Sequence, residues 1–267
     1  MPRRVPGTLF LRNLVERRGL LFQLVRRDFQ QRFVGSAIGW IWGLIHPLVL
    51  LVSWWFVFGV CFHETAPNGV PYALFIFAGM LPWLLFSETV QRSASSLLDQ
   101  SNLITKTVFP SEIVPVSVFL STLVGHGLAL VLMVAAYGVA VHRISMFLVL
   151  LPVYTFLIGL LAVGIGWIVA SLHVFLRDTA QVLSVVLTIW FWATPIMFTE
   201  VRFPPAIRPF LRANPMFYAV RAYRSLLLTS YRPHIEDLAM LAVFGGTAFV
   251  LGGLFFRYMK RGFADVL

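Results

Sequence analysis

The sequence predicts an all-α, polytopic membrane protein with six transmembrane helices, an N-terminal amphipathic interface helix and two short re-entrant helices before the last span. Three observations carry that prediction. Hydrophobic side chains make up 59% of the 267 residues and charged ones 12%, and the mean hydropathy of +0.84 lies outside the soluble globular range. The apolar residues fall into runs long enough for a helix of about twenty residues to cross a hydrocarbon layer of roughly 30 Å, whereas barrel strands would alternate over about ten. Charge is gathered at the ends of those runs, most of it as arginine.

The runs cover residues 37 to 62, 71 to 91, 113 to 141, 146 to 173, 180 to 198 and 235 to 257. An even number places both termini on one side. The arm up to Ser36 holds eight arginines and the C-terminal end adds Arg257, Lys260 and Arg261, while the loop from Phe62 to Val70 has no Lys or Arg. The positive-inside rule therefore makes both termini cytoplasmic. Loops 92 to 112 and 174 to 179 then face the cytoplasm, and 63 to 70, 142 to 145 and 199 to 234 face outward. Arg202, Arg208, Arg212, Arg221, Arg224 and Arg232 in the last outer segment run against the rule, which long outer segments obey poorly.

Residues 1 to 36 form a cytoplasmic interface segment ahead of a single six-helix domain, 37 to 267. On a helical wheel Leu11, Leu14, Val15, Leu21, Phe22, Val25, Phe29 and Phe33 fall within about 120°. Arg18 and Arg32 lie inside that arc, where long basic side chains snorkel to the interface. The segment reads either as a girdle around a cytoplasmic opening or as a plain surface anchor. It lacks the compact apolar core and small-residue site of a cleavable signal.

Within the domain, His46-Pro47 and Thr194-Pro195 place proline inside the first and fifth spans, where a lost backbone hydrogen bond kinks a helix. Ala162, Gly166 and Ala170, like Gly125 and Ala129, repeat at the four-residue spacing that lets helices approach closely. Residues 199 to 234 contain Pro204, Pro205, Pro209, Pro215 and Pro233 between apolar stretches too short to span, at 206 to 212 and 216 to 230. These read as re-entrant half-helices, tolerated at membrane depth only where they line a cavity or pack on protein.

The chemistry these residues exclude is as informative. There is no G-x-x-x-x-G-K-S/T loop, so ATP-driven work requires a separate subunit. H-E-x-x-H, G-x-S-x-G and paired carboxylates within the spans are missing too, with Glu88 and Asp237 close to span ends. That scarcity argues against an intramembrane protease, a pump or an enzyme acting on lipid-linked sugars. The net charge of +10 reads as topology and contact with anionic lipid rather than nucleic-acid binding, because no soluble domain presents a basic groove. Cys61 is the single cysteine, which excludes an internal disulfide and a cysteine metal cluster. His126, between Gly125 and Gly127, reads as a packed histidine or a pathway residue, and His46 and His173 likewise.

The most ordered polar chemistry lies in residues 102 to 116. Leu103, Ile104, Val108 and Phe109 offer apolar side chains beside Asn102, Lys106 and Glu112, with Pro110 and Pro115 to end and restart helices. A short amphipathic helix of this kind, set across the spanning ones, suits insertion into a groove of a soluble partner. Arg177-Asp178 in the other cytoplasmic loop reads as a second contact or as a helix-end ion pair. Aromatic side chains form 15% of the chain. Trp190 and Trp192 read as packing or lipid contacts, or as faces on which sugar rings could stack along a passage.

Taken in order, several pieces resemble the membrane-spanning permease subunit of ABC-type polysaccharide exporters, the family that moves O-antigen, capsule and teichoic acid. They are Arg27-Asp28-Phe29 with Arg32-Phe33, Gly39-Trp40 through Pro47, Asn102-Leu103-Ile104 with Lys106, Phe109-Pro110, Glu112-Ile113, Arg177-Asp178, Thr194-Pro195-Ile196, Asn214-Pro215-Met216, Tyr223-Arg224 and Gly262 through Leu267. The resemblance spans nearly the whole chain, and the closing Phe-Ala-Asp-Val-Leu looks most like the O-antigen and teichoic branch.

It implies a homodimer in the bacterial inner membrane, joined to two copies of a P-loop ATPase that carries the ATP and Mg. No cofactor, metal or catalytic residue is implied for this chain. Asn102, Leu103, Ile104, Lys106, Phe109, Pro110, Glu112, Arg177 and Asp178 would couple to the ATPase, and 201 to 232 would close the outer end. The N-terminal helix would frame a gate admitting a polyprenyl-diphosphate-linked polymer. Arg26, Arg27, Arg32, Trp190, Trp192, Tyr218, Tyr223 and Arg224 would form that gate and the channel. A type 2 permease for small hydrophobic compounds would share the same topology.

Overall fold

The structure, a computed structural model, describes residues 17–32, 36, 39–66, 69–106, 109–228 and 233–263. Ten α-helices account for most of them: α1 (Arg18–Gln31), α2 (Trp42–Trp54), α3 (Tyr72–Asp99), α4 (Ser101–Lys106), α5 (Ile113–Val141), α6 (Leu151–Phe175), α7 (Thr179–Trp192), α8 (Arg208–Leu211), α9 (Pro215–Leu227) and α10 (Ile235–Met259). No strand occurs among the described residues. Leu11, Leu14, Val15, Phe33, Val108, Arg232, the closing Ala264 to Leu267 and the Lys106 side chain lie outside what is described.

Among the described residues five segments are long and apolar enough to cross a membrane: Trp42–Cys61, Tyr72–Asp99, Ile113–Val141, Met146–Phe175 and Ile235–Gly262. The chain is therefore a multi-pass membrane protein by the length and composition of its helices. The first span carries Pro47 inside α2 and continues past Trp54 as a π-helical turn to Cys61. Pro82 lies inside α3, a second proline within a span.

The fifth expected run, 180 to 198, takes a different form. α7 ends at Trp192 after 14 residues, about 21 Å of helix, so Thr194-Pro195 lies beyond it and is not an intrahelical kink. The residue before a proline is pushed out of helical conformation. Here side chains from later in the chain take over the freed carbonyls. Asn214 Nδ2 donates to the Ala193 carbonyl at 3.4 Å. Arg224 donates to the carbonyls of Pro195 at 2.9 Å and Ile196. Non-helical backbone at membrane depth needs such partners, since an unsatisfied carbonyl there costs several kcal/mol.

α3 and α6 form the centre, with α10 against α6 and α5 against α3. Glycines set the spacing. A Cβ at Gly164 would run into the backbone of Ala248, and one at Gly252 into the backbone of Gly164. A Cβ at Gly166 would fall 2.8 Å from Ser93 Oγ. The small-residue spacing in α6 thus serves two neighbours, α3 through Gly166 and α10 through Gly164. Gly125 differs from the expected packing role, because nothing lies within 4 Å of its Cβ position.

Two short helices do precede α10. α8 is a single turn with Phe210 exposed. α9 is buried along nearly its whole length, against α3, α10 and α6. Asn214 caps it, its Oδ1 accepting from Met216 N at 2.9 Å, and Pro215 occupies the first helical position, where a missing N–H costs nothing.

Candidate functional site

Contacts gather the expected cytoplasmic loops at one end of the bundle. Lys260 Nζ lies 2.5 Å from Glu112 Oε2, and Trp167 Nε1 donates to the Glu112 carbonyl at 3.0 Å. Phe175 at the end of α6 packs on Phe263 with ring centroids 6.1 Å apart. The start of α5 and the ends of α6 and α10 are therefore pinned together, with the 176–179 turn beside them. Arg177 and Asp178 are both exposed in that turn.

The island adjoins this cluster. α4 follows α3 after Gln100 alone, and Asn102 projects from it, exposed. Leu103 is half-buried, Ile104 and Phe109 pack on the core, and Pro110 is buried. Of the expected row of free apolar side chains, Ile104 and Phe109 are thus turned inward, while Asn102 stays outward. Glu112 is held by its ion pair rather than presented freely.

α1 meets the bundle in an unexpected register. Its buried side chain is Leu24, at 7% exposure, while Phe22 in the apolar arc is 68% exposed. Leu24, Asp28 and Arg32 share the face turned to α3 and α5, about 80° round from the centre of the apolar arc. Leu21, Val25 and Phe29 of the arc are half-buried, and Arg26 and Arg27 are exposed. Arg32 does not snorkel. Its Nη1 lies 2.9 Å from Glu88 Oε1 and its Nη2 donates to Thr122 Oγ1 at 3.1 Å.

Arg92 completes a four-charge cluster, with Nη2 donating to both Asp28 oxygens at 2.6 and 2.7 Å and Nη1 to Thr122 Oγ1 at 3.2 Å. Glu88 therefore sits well inside α3 and not at a span end. Two acids and two bases cancel, which is what allows charge at this depth. Sequence reading missed Glu88, Arg92 and Thr122, although a signal exists: Asp28 and Arg32 stand four apart, as do Glu88 and Arg92, with opposite signs in complementary order.

Behind this cluster a cleft of about 250 Å³ is lined by Arg32, His46, Glu88, Thr122, Gly125 and His126 among apolar side chains. His126 reaches past it to the buried Tyr223 hydroxyl, 3.0 Å from Nε2. Tyr223 in turn lies 2.7 Å from Thr155 Oγ1, and Thr155 donates its single hydrogen to the Leu151 carbonyl at 2.9 Å. Tyr223 must then donate to Thr155, which leaves its oxygen to accept from His126 and places the imidazole proton on Nε2.

The remaining expected channel residues lie at the opposite end. Arg224 is buried, its guanidinium on the Pro195, Ile196 and Phe75 carbonyls and 3.7 Å from the centre of the Phe75 ring. It fits because Gly79 has no side chain. Tyr218 is buried, donating to the Arg212 carbonyl at 2.9 Å. Trp190 donates to Asn214 Oδ1 at 2.8 Å and packs edge-on against Trp83 and Phe86. Trp192 alone of these faces out, 63% exposed, in line with Val182, Val185 and Ile189 along α7.

At this end, the expected outer one, a groove of about 620 Å³ is lined by Phe75, Arg202, Phe217, Arg221, Arg224 and Ser225 among others. Arg221 is paired with Glu236 at 3.0 Å and with the buried Asp237. Arg202 lies 3.5 Å from Glu64. Among the described residues no group of His, Cys, Asp and Glu could hold a metal ion.

Comparison with known proteins fits this architecture. The chain is 30% identical over 260 residues to the O-antigen export system permease protein RfbA of Myxococcus xanthus, covering 96% of this chain and 98% of that protein. It is 25% identical over 249 residues to a protein of the same name from Klebsiella pneumoniae, covering 93% and 95%. Residues 19–228 match the family described as ABC-2 type transporter. A membrane-spanning bundle with no nucleotide-binding loop of its own, matched to the family over most of its length, belongs to the ABC-2 type transporter family.

Proposed function

We propose that this chain is the membrane-spanning permease subunit of an ATP-driven exporter that moves a polyprenyl-diphosphate-linked polysaccharide, O-antigen, across the bacterial inner membrane. The observation that carries the reading is likeness over 93% or more of the chain to permeases named for O-antigen export. The same likeness supports a homodimer with two copies of a cytoplasmic P-loop ATPase, which would bind ATP and Mg. Both termini are cytoplasmic in this reading, by the arginine bias of the N-terminal arm.

α4, the Phe109–Glu112 segment and the Arg177-Asp178 turn form the face for that ATPase. Exposed Asn102 and the exposed 176–179 turn lie at the end where Glu112 is tied to Lys260, so force applied there reaches α5, α6 and α10 together. Arg26 and Arg27, exposed on α1, attract the diphosphate or the anionic lipid around it. Trp192 and the outer groove lined by Arg224 lie along the route of the polymer, Tyr218 and Tyr223 being buried in the bundle.

The chain performs no covalent chemistry in this reading. The test is deletion of the gene, after which lipid-linked polymer accumulates inside the cell and the surface glycan is lost. An unchanged surface glycan would overturn the reading. Loss of a capsule or of teichoic acid in place of O-antigen would keep the permease and change its cargo.

A further inference from the structure

Thr122 and His126 stand four residues apart on α5 and therefore lie on one face, one turn apart. Thr122 Oγ1 accepts from Arg32 of α1 and Arg92 of α3. His126 is bonded to Tyr223 of α9. A single turn of one helix thus touches both the interface helix at the inner end and the buried helix at the outer end. The cleft beside it leaves Gly125 free of neighbours, so the turn has room to move.

α1 is held in a way that allows release. Among its described residues only Leu24 is buried. It is also tied by the Asp28–Arg92 and Arg32–Glu88 pairs, whose side chains are 22 to 42% exposed. Elements with few buried contacts open first. We propose that the Thr122–His126 turn is a relay: when the two ion pairs part, the turn shifts, the His126–Tyr223 bond is remade or lost, and α9 moves with it. Resting on the permease reading, the relay would make admission at the inner end and release at the outer end one linked event. Arg92, Thr122 and His126 are then positioning residues.

The test uses the full-length chain in proteoliposomes, with Cys61→Ser to remove the single cysteine and one reporter thiol at a time. Gly125→Cys reports the inner cleft and Ser225→Cys the outer groove, each read as a rate of labelling by a water-soluble maleimide. Loosening α1 with Asp28→Asn plus Arg92→Gln, which removes one of the two pairs and leaves Arg32 and Glu88 to each other, is expected to speed labelling about tenfold at both positions. Adding Tyr223→Phe should leave the inner rate raised and return the outer one to within about twofold of its level in Tyr223→Phe alone. An outer rate that ignores the loosening of α1, or that rises equally with Tyr223→Phe present, overturns the relay.

If the paired variant fails to fold, Thr122→Val removes the shared acceptor and keeps both ion pairs. A change of about threefold or more in the outer rate is then expected, and no change overturns the proposal. These assays contain neither glycan nor ATPase, so their failure leaves the permease reading standing. Conversely, intact labelling behaviour without glycan export would overturn the permease reading and keep the relay.

Discussion

Two glycines inside spanning helices give opposite answers to the same substitution. A Cβ at Gly79 of α3 would lie 2.8 Å from Arg224 Nη2 and 3.1 Å from its Cζ and Nε. Arg224 has nowhere to retreat without leaving the carbonyls of Phe75, Pro195 and Ile196. Overpacking costs about 1–3 kcal/mol, and each bond lost from a charged donor about 1.5–3 kcal/mol. Gly79→Ala should therefore destabilise by about 3 kcal/mol or more, lowering the melting temperature of the detergent-purified protein by roughly 5 °C or more. Gly125→Ala places its methyl in open space and gains helix propensity, about 1 kcal/mol, so it should hold or raise that temperature. Equal melting for Gly79→Ala and the parent would show that Arg224 does not bind the chain after α7.

Tyr223→Phe leaves His126 and Thr155 with unmet hydrogen bonds in a buried site and should cost about 1–3 kcal/mol in a denaturation series, whereas Tyr258→Phe, exposed on α10, should cost nothing measurable. Glu112→Gln weakens a pair whose Lys260 is 38% exposed, so its stability loss should stay below about 1 kcal/mol; a larger drop in ATPase stimulation than in melting temperature would mark Glu112 as part of the coupling face. Trp190→Phe removes the donor to Asn214 Oδ1 but keeps the aromatic contact, and a loss of about 1 kcal/mol is expected in the same series. Trp192→Ala, which removes an exposed ring whose described contact is the neighbouring Phe191, should change melting little and alter export, if that face meets the polymer.

What could be read from the chain follows from range. Helix length is a local property, so the long apolar runs locate five spans, with every end but the far end of α3 within about five residues of the observed one. The run 180 to 198 overstates α7 because the residues that end it, Asn214 and Arg224, come 20 to 30 positions later. The run 71 to 91 understates α3 because Glu88 and Arg92 look like a polar exit from the membrane until Asp28 and Arg32 are placed against them. The island was visible as an ordered polar stretch, but the inward turn of Ile104 and Phe109 depends on core residues that no local pattern reveals. Tyr223 and Arg224 stood out as a pair, yet only packing shows that one faces His126 and the other the end of α7.

Reconstitution with the ATPase subunit in proteoliposomes, reading ATP-dependent movement of lipid-linked glycan, bears most directly on the claim that inner-end force drives export. The parent chain is expected to move the glycan. Asn102→Trp, on the exposed face of α4, should insert and melt normally while losing most of that movement and the stimulation of ATP hydrolysis. Full glycan movement with Asn102→Trp, or movement by the parent without any ATPase, would contradict it.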